Sequence, residues 1–300
     1  MTRFGGHLIH GVSLASVLLL AALGLAITFG LMGVINMAHG EMLMLGAYTT
    51  YAVQVGFGKL FPSVAGLYLV AAVPLAFVVA ATVGFILERS VIRFLYGRPL
   101  ETLLATWGIS LILIQTVRLI FGAQNVAVAS PDYLAGGVNL MEGLVLPWSR
   151  IAVAVFAAVV TLAVWLILQK TPLGLQVRAI SQNRPMAACL GVRTGRVDSQ
   201  IFALGSGIAG LGGVALSQLG NVGPELGQTY VIDSFMIVVL GGVGRLMGTI
   251  ASSLGLGMIN KLLEPLSGAV MGKIVVLGII ILFIQRRPQG MFALKGRVEA

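Results

Sequence analysis

Three polar side chains interrupt an apolar stretch near the N-terminus: Asn36, His39 and Glu41, in GVINMAHGEMLMLGAY (33–48). Ionisable groups in such surroundings mark solute, ion or proton paths by default. On a regular helix Asn36 and His39 share a face, while Glu41 points roughly 200° away from His39 at about 100° per residue. One path for all three therefore needs a broken chain, and Gly33 and Gly40 supply places to break it. The competing reading is that the three satisfy backbone groups freed by the break. Asp233 is a further carboxylate, expected as an interfacial cap at the start of a helix.

A second polar group occupies 170–200, KTPLGLQVRAISQNRPMAACLGVRTGRVDSQ, between long apolar runs. Arg178, Arg184, Arg193 and Arg196 would each cost roughly 2.5–3.5 kcal/mol at mid-bilayer, so this island belongs in water. Within it a short helix is written from Arg184 to Leu190: Asn183 caps it, Pro185 suits the first turn and Gly191 the left-handed stop. At 1.5 Å per residue it is about 10 Å long, too short to span. Met186, Cys189 and Leu190 fall on one face, and Ala187 and Ala188 leave room for close approach. Such a stripe either docks in a partner's groove, packs on the protein's own spans or lies on lipid.

Enzyme chemistry finds no purchase. GAVMGKI (268–274) has too few residues between its glycines for a phosphate loop, and Ile274 stands where a hydroxyl should bind magnesium. GGVGRLMG (241–248) misses the dinucleotide spacing, and His7, His10 and His39 form no metal pattern. No nucleophile, base and orienting group assemble, which disfavours an intramembrane enzyme. The chain carries no cofactor of its own.

The elements around these residues follow from composition. With 58% hydrophobic and 10% charged residues and a mean hydropathy of +1.00, the chain is far more apolar than a soluble domain, where about a quarter of residues are charged. Apolar windows of about 20 residues fall at 8–30, 41–57, 64–87, 102–121, 150–169, 200–219, 230–244, 247–263 and 268–285. The start is read as a retained membrane segment because no small-residue cleavage site follows a short apolar core. The single cysteine, Cys189, excludes an intramolecular disulfide.

The net charge of +9 reflects topology rather than nucleic-acid binding, because the basic residues cluster at span ends. Arg89, Arg93 and Arg98 form one group and the island a second; Arg245 stands third, and Arg286, Arg287, Lys295 and Arg297 form the fourth. Pairs of windows separate successive groups, so all four share the cytoplasmic side and the C-terminus joins them. The opposite segments, 122–149 and 220–229, hold Asp132, Glu142 and Glu225. Nine crossings put the N-terminus outside, and eight plus a re-entrant segment put Arg3 inside. Pro74 is expected to kink its span, and 122–149 to be an irregular excursion. Gly241, Gly242, Gly244 and Gly248 are candidates for close helix packing, Gly244 and Gly248 having GxxxG spacing.

Several stretches carry a resemblance. Pro185 to Gly191 is similar in register to the E-A-A-x-x-x-G coupling loop of ABC importer permeases, with Pro185 and Met186 in place of the usual Glu and first Ala. GVINMAHGEMLMLGAYTTYAVQ (33–54) and SFMIVVLGGVGRLMGT (234–249) resemble the LivH-type branched-chain amino acid permease family. TWGISLILIQTVRLIFGAQN (106–125), GPELGQTYVID (223–233) and FIQRRPQGMFALKGR (283–297) resemble its urea-type branch, the UrtB permeases.

The resemblance implies a membrane subunit paired with a LivM-like permease subunit. Two cytoplasmic ATPase subunits using ATP and magnesium and a periplasmic solute-binding protein would complete the assembly. The expectation is an all-α polytopic protein of about eight to nine transmembrane helices, including broken or re-entrant segments. It forms a single domain over 1–300, with a coupling loop at about 170–199, in the bacterial inner membrane. Its expected function is the permease of an ATP-driven urea importer, with branched-chain amino acids or short amides as the alternative cargo. A proton-coupled secondary transporter using Glu41 or Asp233 is a further alternative, disfavoured by the lack of an inverted repeat.

Overall fold

Each apolar window becomes a helix in the computed structural model, which describes residues 2–60, 62–141, 144–287 and 290–292. Glu142, Lys295 and Arg297 lie outside the described residues. The helices are α1 (Thr2–Met32), α2 (His39–Leu60), α3 (Tyr68–Ser90), α4 (Pro99–Phe121), α5 (Trp148–Lys170), α6 (Pro172–Gln182), α7 (Arg184–Cys189), α8 (Thr194–Ser217), α9 (Leu226–Gly241) and α10 (Leu246–Arg286). Among the described residues, six segments are long and apolar enough to cross a membrane: His10–Met32, Tyr68–Phe94, Pro99–Phe121, Trp148–Lys170, Thr194–Ser217 and Leu246–Pro265. α2, more polar, the shorter α9 and the second arm of α10 complete an all-α polytopic bundle.

Burial sorts these helices into a centre and a periphery. The spans in α1 and α8 are 83% and 78% buried, whereas those in α3 and α4 are 22% buried. α8 can be central because its glycines lie on several sides. Gly205 meets Gly24 and Thr28 of α1, Gly210 meets Ala76 and Ala80 of α3, and Gly213 meets the backbone of α2 at Leu43. A side chain at these points would hold the helices apart, and packing between membrane helices depends on close backbone approach. The outward faces of α3, α4 and α5 carry Val70, Ile86, Ile112, Leu119, Val155 and Leu162, an apolar surface suited to lipid.

The contacts also order the ends. α1 runs against α8, because Leu20 and Ala21 lie beside Gly212 while Gly24 lies beside Gly205. Gly30, near the end of α1, meets Gly244. The start of α1 therefore lies on the face opposite the arginine island, as the nine-helix reading requires. The long α10 is two arms joined at Gly268, whose φ of 77° no other residue type adopts easily. The arms fold back: Gly248 touches Gly241 at the start of the first, and the N–H of Met291, beyond the second, donates to the Leu240 carbonyl at 2.8 Å. Residues 290–292 thus return to the face where α9 ends.

Two local expectations change. Part of the excursion after α4 is a hairpin, β1 (Gly137–Met141) antiparallel to β2 (Leu144–Pro147), with Val138 opposite Leu146. Tyr68 and Gln54 hold its approach through the Ala129 carbonyl, at 2.7 and 3.1 Å. Within the island, α6 is a full helix. Its buried Gly174 and Val177 rest on the end of α5, and Arg178 donates to the Leu168 carbonyl. Its clues were Pro172 at the first turn and apolar residues at 173, 177 and 180.

Candidate functional site

The chain breaks at 33–38, between α1 and α2, with Gly33 at φ 69°. Gly40 does not make the break. It lies in α2 and lets the Gly227 backbone of α9 approach. Asn36 is fully buried in the break, where its Oδ1 accepts from the Ala38 N–H at 3.0 Å. The Met37 N–H donates to Thr106 Oγ1 at 3.1 Å. His39 and Glu41 are also fully buried and diverge. His39 Nε2 reaches the Ala21 carbonyl of α1 at 3.0 Å, which sets its proton on that nitrogen, while Glu41 Oε1 accepts from Ser110 of α4 at 2.9 Å.

The three thus share a segment but not a direction. Each satisfies one neighbour and leaves one atom without a hydrogen-bond partner among the described residues: Asn36 Nδ2, His39 Nδ1 and Glu41 Oε2. Buried atoms of this kind are costly and uncommon. The arrangement can stabilise the broken backbone and still offer a donor and acceptors to a polar guest.

On the arginine-rich face, α7 has the geometry its sequence specifies. Asn183 Oδ1 accepts from the Met186 N–H at 3.0 Å, Pro185 sits in the first turn and Gly191 has φ 87°. Ala187 is buried against the chain, while Met186 and Leu190 are 57% and 78% exposed, and Cys189 is exposed as well. The stripe therefore does not pack on this protein's own spans.

Arg184 ties α7 to the bundle. It pairs with the buried Asp198 near the start of α8, and its guanidinium lies 4.9 Å from the Tyr96 ring centre. The Tyr96 hydroxyl donates to Glu88 of α3 at 3.2 Å, and Ser199 also donates to this fully buried carboxylate. Burial, with the neighbouring Asp198 and Glu88 carboxylates, holds the Tyr96 phenol above its usual value, so it remains a donor. Sequence reasoning missed Glu88, Tyr96 and Asp198. Glu88 adjoins a basic group at a span end, and an acid beside such a group was the available clue.

The glycine candidates gather where α9 meets α10. Gly241 and Gly248 touch backbone to backbone, Gly244 meets Gly30, and Gly242 meets Gly290. Gly242 and Gly244 lie between the helices at φ 97° and 85°, so the GxxxG spacing of Gly244 and Gly248 is not a helix face here. Asp233 lies in the middle of α9 rather than at its start, and its Oδ2 accepts from Lys273 Nζ of α10 at 3.3 Å.

A bundle of long apolar helices with a chain break, a small exposed helix between spans and buried polar groups is that of an all-α polytopic membrane protein. The chain matches the family described as branched-chain amino acid transport system permease component over residues 7–284, and it belongs to that family. It is 28% identical to the high-affinity branched-chain amino acid transport system permease protein BraD of Pseudomonas aeruginosa, over 98% of this chain and 96% of that protein. It is likewise 28% identical to the corresponding LivH protein of Escherichia coli K12, with the same coverage. A ribose import permease, RbsC of Bacillus subtilis, is 35% identical over 39% of each chain. No solved structure matches.

These relatives are transport permeases rather than enzymes, and the comparisons support the LivH-type resemblance but not its urea-specific branch.

Proposed function

We propose that this chain is the membrane permease subunit of an ATP-driven importer for branched-chain amino acids. Its membership of the permease family over 7–284 carries the reading, and full-length relatives described as branched-chain amino acid permeases favour that cargo over urea. The partners are a second, LivM-like permease subunit, two ATPase subunits that use ATP and magnesium, and a periplasmic solute-binding protein. The arginine-rich face and the C-terminus lie in the cytoplasm of a cell with an inner membrane.

In this reading the ATPase groove takes Met186 and Leu190, the exposed apolar residues on α7. Arg184 carries a push on α7 to α8 through Asp198 and to α3 through Tyr96 and Glu88. The spans then rock about the solute path. The segment from Asn36 to Glu41 lines that path, closed here, and its unpartnered atoms receive the solute's polar groups as it sheds water. Urea remains the second reading, favoured by the similarity of 106–125, 223–233 and 283–297 to the urea-type branch.

Competition for uptake into vesicles holding the reconstituted assembly tests both cargo and energy source. Labelled leucine should accumulate only with ATP and the ATPase subunits. Accumulation driven by a proton gradient without them would sink the importer reading, and uptake of urea without leucine would exchange the cargo.

A further inference from the structure

We infer that a cavity on the face opposite the arginine island is an entry site for the carboxylate of the solute, with Arg150 as its recognition residue. The cavity measures about 440 Å³ and is lined by His10, Asn125, Arg150, Glu225, Thr229 and Lys261, among others. That volume falls in the range of small-molecule sites, about 300–1,000 Å³. None of the residues singled out from the sequence as solute-path candidates lines it.

Its charges are not equivalent. Glu225 is already engaged by Arg118 of α4 at 2.5 Å, and Lys261 by Glu264 on its own helix. Arg150, half-buried in the first turn of α5, makes no ion pair or hydrogen bond with any described residue. A guanidinium with no partner among the described residues, set in a cavity, presents a planar fork of donors that matches a carboxylate. A small anionic group fits a half-open cavity of this volume.

The cavity also adjoins the broken segment. Leu226 and Thr229, one helical turn apart at the start of α9, line it, while Gly227 between them rests on Gly40 and faces the Glu41 carboxylate. Only the first turn of α9 separates the cavity from the proposed path. A solute held here by its carboxylate is one short rearrangement from Glu41.

The assignment rests on the amino-acid importer reading, and the test separates the two. In vesicles carrying the complete assembly at saturating binding protein, Arg150→Gln should lower leucine uptake about tenfold or more, as expected for losing a charge-assisted hydrogen bond. Arg150→Lys, which keeps the charge, should recover part of it. Binding is read independently in a Thr229→Cys, Cys189→Ser protein: leucine should protect the new thiol from a water-soluble reagent, and leucinamide, which lacks the carboxylate, should not. Arg150→Gln uptake equal to wild type, or equal protection by leucine and leucinamide, overturns the carboxylate site while leaving the importer intact. Protection by the empty binding protein but not by leucine overturns it too, by making the cavity a protein contact. A wild-type assembly that moves urea and not leucine overturns the amino-acid reading and the site together.

Discussion

Glu41 is fully buried with one oxygen bonded to Ser110 and the other without a partner among the described residues, so its replacements separate structure from transport. Glu41→Gln keeps an acceptor for Ser110 and a polar end for a guest, and Glu41→Leu removes both. If the residue lines the path, the Gln protein should transport measurably better than the Leu protein, with equal amounts of each reaching the membrane. Ser110→Ala should destabilise by about 1–3 kcal/mol, because a buried acceptor loses its donor. Thermal denaturation in detergent reads that loss, and an unchanged midpoint would show that the hydrogen bond contributes nothing. Sequence showed that these residues were polar and misplaced in an apolar region. Whether His39 and Glu41 faced one path was not legible, because it depends on which helices pack beside α2.

At the scale of one element, α7 makes two predictions. Leu190→Asp places a carboxylate in the proposed ATPase groove, where a buried unpaired charge costs several kcal/mol. Co-purification with the ATPase should fall while membrane insertion is unchanged; undiminished co-purification would return the stripe to the lipid surface. Arg184→Ala tests transmission rather than docking. It strips Asp198 of its partner and Tyr96 of its cation, so ATP hydrolysis should persist while leucine moved per ATP falls. An unaltered ratio would leave Arg184 a merely structural link. The caps of α7 were legible because Asn183, Pro185 and Gly191 act on their own neighbours within a turn. α6 was legible in part, through Pro172 and the apolar spacing of 173, 177 and 180, but the burial of Gly174 against the end of α5 and of Val177 in the core depends on contacts outside the helix.

Over the whole molecule, close backbone contact sets the arrangement of helices, and two glycines of the same helix separate this from propensity. Gly248 lies against the Gly241 backbone, whereas a methyl at Gly255 would meet open space. Gly248→Val should cost about 1–3 kcal/mol or more through overpacking and reduce assembly. Gly255→Ala should be neutral or stabilising by up to about 1 kcal/mol, since Ala is the better helix former. Equal melting temperatures for the two variants would refute glycine-mediated packing of α9 on α10.

Length and hydropathy alone determined that the chain is an all-α membrane bundle, and every apolar window became a helix because a backbone in lipid must satisfy its own hydrogen bonds. The basic groups at span ends likewise placed the ends of helices on common faces. Tertiary structure decided the rest. It put α1 and α8 at the centre, folded α10 back at Gly268, moved Asp233 into the middle of α9 beside Lys273, and opened a cavity at Arg150. Each of these depends on contacts between residues far apart in the chain, and hydropathy, which sums over neighbours, carries no information about them.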